Sequence, residues 1–166
     1  MLLDAWRFVR DLNRMDGQDF PMSDLTQPLS LSLADLAEGR EALYRYRISA
    51  AVHAAFMAAF DDRSPVHVDD EFARARGFEG RVSHGAILNG FLSHFVGMRF
   101  PGASALLLSA ELRYQSPCFL DDEIELRGRV SQRSESAGTV LLGVVFYNVT
   151  RQRVAASGKV FVRVGG

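Results

Sequence analysis

The run Asp62-Arg63-Ser64-Pro65-Val66-His67 places a carboxylate and an imidazole five residues apart. Pro65 fixes its own φ and biases Ser64 toward an extended conformation, so the segment reads as a stiff loop able to aim both side chains at one point. An acid and a base that converge on one water can add it across a conjugated double bond. One group takes a proton as the water oxygen attacks, and the other delivers a proton to the neighbouring carbon. Spacing by itself favours a plainer reading, a turn with a capping Asp and a surface His. The segment that follows decides between the two.

That segment, Gly77-Phe78-Glu79-Gly80-Arg81-Val82-Ser83-His84-Gly85, leads into SHGAILNGFLSHFVG, which reads as one helix over 83–97. Ile87, Leu88, Phe91, Leu92, Phe95 and Val96 leave it almost no polar face, the pattern of a buried helix. At about 22 Å it is too short to cross a bilayer. A helix N-terminus presents unpaired N–H groups and a partial positive charge. Such donors can polarise a thioester carbonyl and stabilise the enolate formed when water adds. Gly85 has no side chain to keep a substrate from its N–H.

Together these segments resemble the MaoC-like, (R)-specific enoyl-CoA hydratase family. Its pattern is Asp-x-Asn-Pro-x-His, a short acidic helix, then Gly-Phe and a hydrophobic-small-His-Gly element. The matching residues are Asp62, Pro65, His67, Asp69, Ala73, Gly77, Phe78, Val82, His84 and Gly85. Downstream, Leu112-Arg113-Tyr114 before Pro117, and then Asp122, match more loosely, so the similarity covers roughly residues 43–164. Ser64 stands where the family usually has Asn, and Asp61 where it usually has Gly.

The resemblance implies an α+β hot-dog fold, an antiparallel sheet wrapped around a central buried helix. It implies a homodimer or higher homo-oligomer acting on acyl-CoA or acyl-carrier-protein thioesters, without cofactor or metal. Asp62 and His67 become the catalytic pair, the Gly85 N–H contacts the thioester oxygen, and His84, Ser64 and Ser83 join it as substrate-binding residues. His84 has a second possible role, bonding the loop that carries Asp62. The enzymatic rival is a hot-dog thioesterase, but beyond His84 the helix offers only Asn89, Ser93 and His94 as polar groups and no carboxylate to direct a hydrolytic water. A rival from another class is a non-catalytic hot-dog module that binds acyl chains or a partner.

The elements that must position these groups follow from periodicity. Tyr44, Tyr46 and Ile48 alternate with Arg45 and Arg47, a half-buried strand, and Ser49 is placed to cap an Ala-rich helix over 50–60. A loop follows, with a short helix starting near Asp69. Four strands come next. Leu106, Leu108, Ala110, Leu112 and Tyr114 are expected on one face of the first, and Ile124, Leu126 and Val130 on one face of the second. Residues 139–149 are apolar on both faces, as in a central strand, and Val154, Val160, Val162 and Val164 mark the last. Residues 1–14 read as a short amphipathic helix and 15–40 as an extended connection, giving a segment 1–40 before a domain over 41–166.

Bulk properties restrict the alternatives. A chain of 166 residues with 48% hydrophobic and 23% charged residues suits one globular domain. The net charge of −1 supplies no field for nucleic acid or anionic lipid. Arg127, Arg129 and Arg133 read as a solvated strand face that could also steer a phosphate. The single Cys118 excludes an intrachain disulfide and reads as structural. Charges within 1–14 break the apolar run a secretory signal needs, and no stretch reaches the roughly 18 apolar residues of a membrane span, so the expected location is cytoplasmic. His53 and His94 read as structural. The acidic cluster Asp69-Asp70-Glu71 beside His67 reads as a helix start favoured by the dipole rather than a metal site.

Overall fold

The computed structural model describes residues 27–165. The helix expected over 1–14 and the first part of the extended connection lie outside the described residues. The alternating segments form five strands: β1 (Glu41–Arg47), β2 (Ala105–Tyr114), β3 (Glu123–Ser134), β4 (Thr139–Asn148) and β5 (Arg153–Val164). They build one antiparallel sheet in the order β1-β3-β4-β5-β2. The doubly apolar β4 lies at its centre, one face buried and the other half-buried to buried. β1 and β2 are the edges.

Between β1 and β2 the chain forms α1 (Ala50–Phe60), a one-turn helix α2 (Pro65–Val68), α3 (Asp70–Ala75) and α4 (Ile87–His94), which runs on into a π-helical turn, Phe95–Arg99. Ser49 caps α1 as expected, its hydroxyl accepting from the Val52 N–H at 3.2 Å. Asp69 caps α3 by accepting from the N–H groups of Glu71 and Phe72. Asp70 accepts from the Arg81 N–H at 2.8 Å, a bond that holds its carboxyl below the ordinary range. Asp69 and Asp70 are thus committed to capping and to the chain that leads to the central helix.

Four expectations need correction. His67 does not sit on a loop, because Pro65, whose missing N–H costs nothing at a first helical position, starts the turn of α2. The central helix does not begin at Ser83. The N–H groups of Ile87, Leu88 and Asn89 reach back only three residues, to His84, Gly85 and Ala86, so a tight turn precedes it. It is also not buried all round, since Asn89, Gly90 and Ser93 are exposed. Finally, β2 does not carry its apolar residues on one face. A bulge at Leu108 sets Leu107 opposite Val162 and Ala110 opposite Val160, but leaves Leu106 opposite Arg163 on the outer face.

Residues 29–36 belong to the packed body. The Leu29 N–H donates to the Met98 carbonyl, Ser30 bridges Gly102, and Leu36 is fully buried. The central helix presses Leu92 and Phe95 into the concave sheet face beside Leu126, Leu142 and Phe146, all essentially inaccessible. A fully buried side chain of this size contributes about 1.5–3 kcal/mol. Gly128 on β3 makes the approach possible, since a Cβ there would lie 2.7 Å from the Phe95 ring. The helix is therefore locked in place, and with it the direction of its N-terminus.

On the outer face Arg127 pairs with Glu125 and Arg129 with Glu41, whereas Arg133, past a register shift in β3, stands opposite the buried Val140, off that face, and pairs with Glu135. Glu125 is nevertheless buried, beneath Arg45 and Arg127. Cys118 is buried, and that burial pushes its thiol up to about 11, an inert state. Among the described residues no helix is long and apolar enough to cross a membrane.

Candidate active site

Helix α1 ends on Asp61, whose φ of 50° lies in the left-handed region. This is the position where a glycine would be unstrained, and it turns the chain sharply, leaving Asp62 exposed just beyond it. The Asp61 carboxylate swings away to Arg63 at 2.8 Å. One Asp62 oxygen, Oδ1, accepts from the Ser64 N–H at 3.2 Å, so Ser64 orients the carboxylate through its backbone. The other, Oδ2, lies 3.7 Å from His84 Nε2.

The imidazole protons can be placed from their partners. His67 Nδ1 lies 2.7 Å from the Val82 carbonyl oxygen. A carbonyl only accepts, so Nδ1 carries a hydrogen, and Nε2 is the nitrogen through which the ring can accept a proton. His84 Nε2 likewise donates to the Asp62 carbonyl at 2.9 Å. His84 is 3% exposed and stacks on His67 with ring centroids 3.8 Å apart. Of its two possible roles, the hydrogen bond serves the anchoring of the Asp62 loop. Its Nδ1 is buried with no hydrogen-bond partner.

One carboxylate oxygen of Asp62 and one nitrogen each of His67 and His84 all lie within 4.8 Å of one another. One water making two hydrogen bonds of about 2.8 Å spans that gap. A carboxylate with two imidazoles is also a donor set that zinc accepts. Here one nitrogen of each ring is already bonded to a backbone carbonyl.

Gly85 lies beside this cluster, on the turn that opens the central helix. Neither its N–H nor that of Ala86 donates to an acceptor among the described residues, so both remain available to a ligand oxygen. The missing side chain has a further use: a Cβ would meet the Tyr114 ring at 3.2–3.4 Å. The bare Cα thus accommodates Tyr114 as well as any substrate. Ser83 is less accessible, its hydroxyl buried with no partner and its N–H bonded to the Cys118 carbonyl at 2.7 Å.

Two features were not read from the sequence. His53 reaches in from α1, its ring 5.1 Å from that of His84, and burial, with His84 adding to it, pushes its imidazole below the ordinary value. The other is the contact of Asn89 with Tyr114 across the turn. A lone amide on an otherwise apolar helix was the available signal for it. His94 stays outside the site, bonded through Nδ1 to the Tyr46 hydroxyl at 2.9 Å.

An antiparallel sheet curled around one central helix, with a cluster of proton-handling groups at that helix's N-terminal end, defines a hot-dog-fold protein. Residues 34–152 match the MaoC like domain, and the chain belongs to that family. It is 32% identical over 105 residues to the (R)-specific enoyl-CoA hydratase of Aeromonas caviae, covering 63% of this chain and 78% of the relative. With the 3-hydroxybutyryl-CoA dehydratase of Methylorubrum extorquens it shares 29% identity over 102 residues, 61% of this chain and 65% of the relative. The unliganded R-hydratase PhaJ1 from Pseudomonas aeruginosa superimposes with a TM-score of 0.77 at 24% identity, over 84% of this chain and 89% of that one, and shows the shared fold.

Proposed function

We propose that this protein adds water reversibly to trans-2-enoyl thioesters of coenzyme A or acyl-carrier protein, giving (R)-3-hydroxyacyl thioesters. The observation that carries the reading is the approach of an Asp62 oxygen to one nitrogen of His67, whose Nδ1 is engaged by the Val82 carbonyl, beside a free Gly85 N–H. The thioester oxygen takes the Gly85 N–H, which draws electron density from the double bond and leaves C3 electrophilic. Asp62 holds one O–H of the water in a hydrogen bond while His67 Nε2 takes the other hydrogen as a proton, and the water oxygen bonds to C3, keeping the hydrogen that faces Asp62 as the hydroxyl's own. The enolate is then protonated at C2 by the imidazolium, which returns both groups to their starting state. Relatives named for R-specific hydration support the stereochemistry.

The test is to add purified protein to crotonyl-CoA and longer trans-2-enoyl-CoAs, follow loss of the enoyl-thioester absorbance, and resolve the product's configuration. Consumption of the enoyl group to the (R)-alcohol is expected. Release of free thiol would make the protein a thioesterase, and neither signal would leave a binding module.

The edge strand β2 supports a homodimer. Among the described residues no strand neighbours its outer backbone groups, and it exposes Leu106 (58%), Leu107 (38%) and Leu108 (42%). Such an edge invites pairing with another strand. We place the second copy there. Sedimentation equilibrium should give twice the chain mass, and a monomer at micromolar concentration would refute the assignment.

A further inference from the structure

We propose that Asn89 and Tyr114 form a recognition site for the first amide of the substrate's pantetheine arm, the group that coenzyme A and acyl-carrier protein share. The inference rests on the hydratase reading and extends the site outward along the thiol side of the substrate.

Tyr114, at the end of β2, lays its ring against the bare Cα of Gly85 and receives a hydrogen bond from Asn89 Nδ2 at 3.1 Å. Asn89 stands four residues beyond Gly85, in the first turn of α4. Among the described residues this is the one hydrogen bond that either side chain makes. The Tyr114 O–H therefore remains a free donor, Asn89 Oδ1 a free acceptor and the second Asn89 N–H another free donor. Both side chains are exposed. A donor and an acceptor side by side are complementary to an amide, which presents one of each.

The spacing agrees. In a pantetheine thioester the carbonyl oxygen and the first amide nitrogen are five bonds apart, roughly 6 Å when extended. The Tyr114 side chain spans a comparable distance, its ring on Gly85 and its hydroxyl on Asn89. With the carbonyl on the Gly85 N–H, the arm leaves along the Tyr114 ring and its amide arrives at Asn89. The ring covers the two intervening methylenes, which carry no polar group.

The test compares two crotonyl thioesters with the full-length protein. One is the N-acetylcysteamine thioester, which carries the amide, and the other the thioester of an n-alkanethiol of matched length, which does not. The wild type should prefer the first by about tenfold in kcat/KM, the size expected for one or two exposed hydrogen bonds. In Asn89→Ala and Tyr114→Phe that ratio should fall at least threefold, through KM on the amide-bearing substrate. Tyr114→Phe keeps the ring on Gly85 and so separates loss of the hydroxyl from loss of packing. A ratio unchanged in both variants, whatever their absolute rates, would overturn the amide site while the hydratase reading stands. Absence of turnover on both thioesters and on crotonyl-CoA would remove that reading and this site with it.

Discussion

Asp62→Asn and His67→Gln are each expected to lower kcat for crotonyl-CoA hydration by about 10²–10⁴-fold, the usual cost of removing a positioned acid or base. The asparagine can still accept the Ser64 N–H at the place of Oδ1, so the loop should hold its shape while the charge is lost. In His67→Gln the amide can still donate to the Val82 carbonyl but offers no basic nitrogen to the water. KM should change little in either, because neither group is placed on the thioester oxygen. On the proposed mechanism, in which the two act on one water as a unit, the double variant should be scarcely worse than the weaker single one. Retention of more than a tenth of wild-type kcat in Asp62→Asn, with an unchanged circular dichroism spectrum, would remove Asp62 from the chemistry.

The second large effect is on stability. Asp122, 1% exposed, accepts from the Phe119 N–H at 2.9 Å, from Asn148 Nδ2 at 2.7 Å and from Arg151 Nε at 2.8 Å. Arg151 reaches on to Glu79 at 2.5 Å, and its guanidinium lies over the Phe119 ring at 4.1 Å. The network ties the start of β3 and the β4–β5 turn to the segment that leads into His84 and Gly85. Asp122→Ala strands a buried amide, a backbone N–H and a partly buried cation, and should cost about 3–5 kcal/mol. Urea unfolding should show a lower midpoint at an unchanged slope. Asp122→Asn retains the shape and one acceptor, so it should lose less. A loss below about 1 kcal/mol in Asp122→Ala would show that the network is not a unit.

Much of the architecture was legible because periodicity reports burial. Tyr44 and Tyr46 alternate with Arg45 and Arg47 because one face of β1 is covered, and residues 140–146 carry no polar side chain because one face of β4 is buried and the other at least half-covered. The Ser49 cap could be read because its partner lies three residues away. The face of β2 could not. One bulged residue reverses the alternation, and a bulge depends on the neighbouring strand rather than on local residue type. The start of the central helix was misplaced for a related reason: SHGA is compatible with helix, but His84 is held by Asp62 and Ser83 by Cys118.

By itself the sequence determined which residue types stand at the site, because chemistry-bearing groups and the proline and glycines that shape the chain around them are local, covalent facts. The order Asp62, Pro65, His67, His84, Gly85 is enough to place the chain near its relatives. Only the tertiary structure decided which nitrogen of His67 is free, that His84 faces a backbone carbonyl, and that Tyr114 crosses from β2 to lie on Gly85. Those outcomes depend on atoms brought together across 15, 22 and 29 residues of chain. A hydrogen bond at such separation is set by the packing of the helix on the sheet, for which no short run of residues carries a signature.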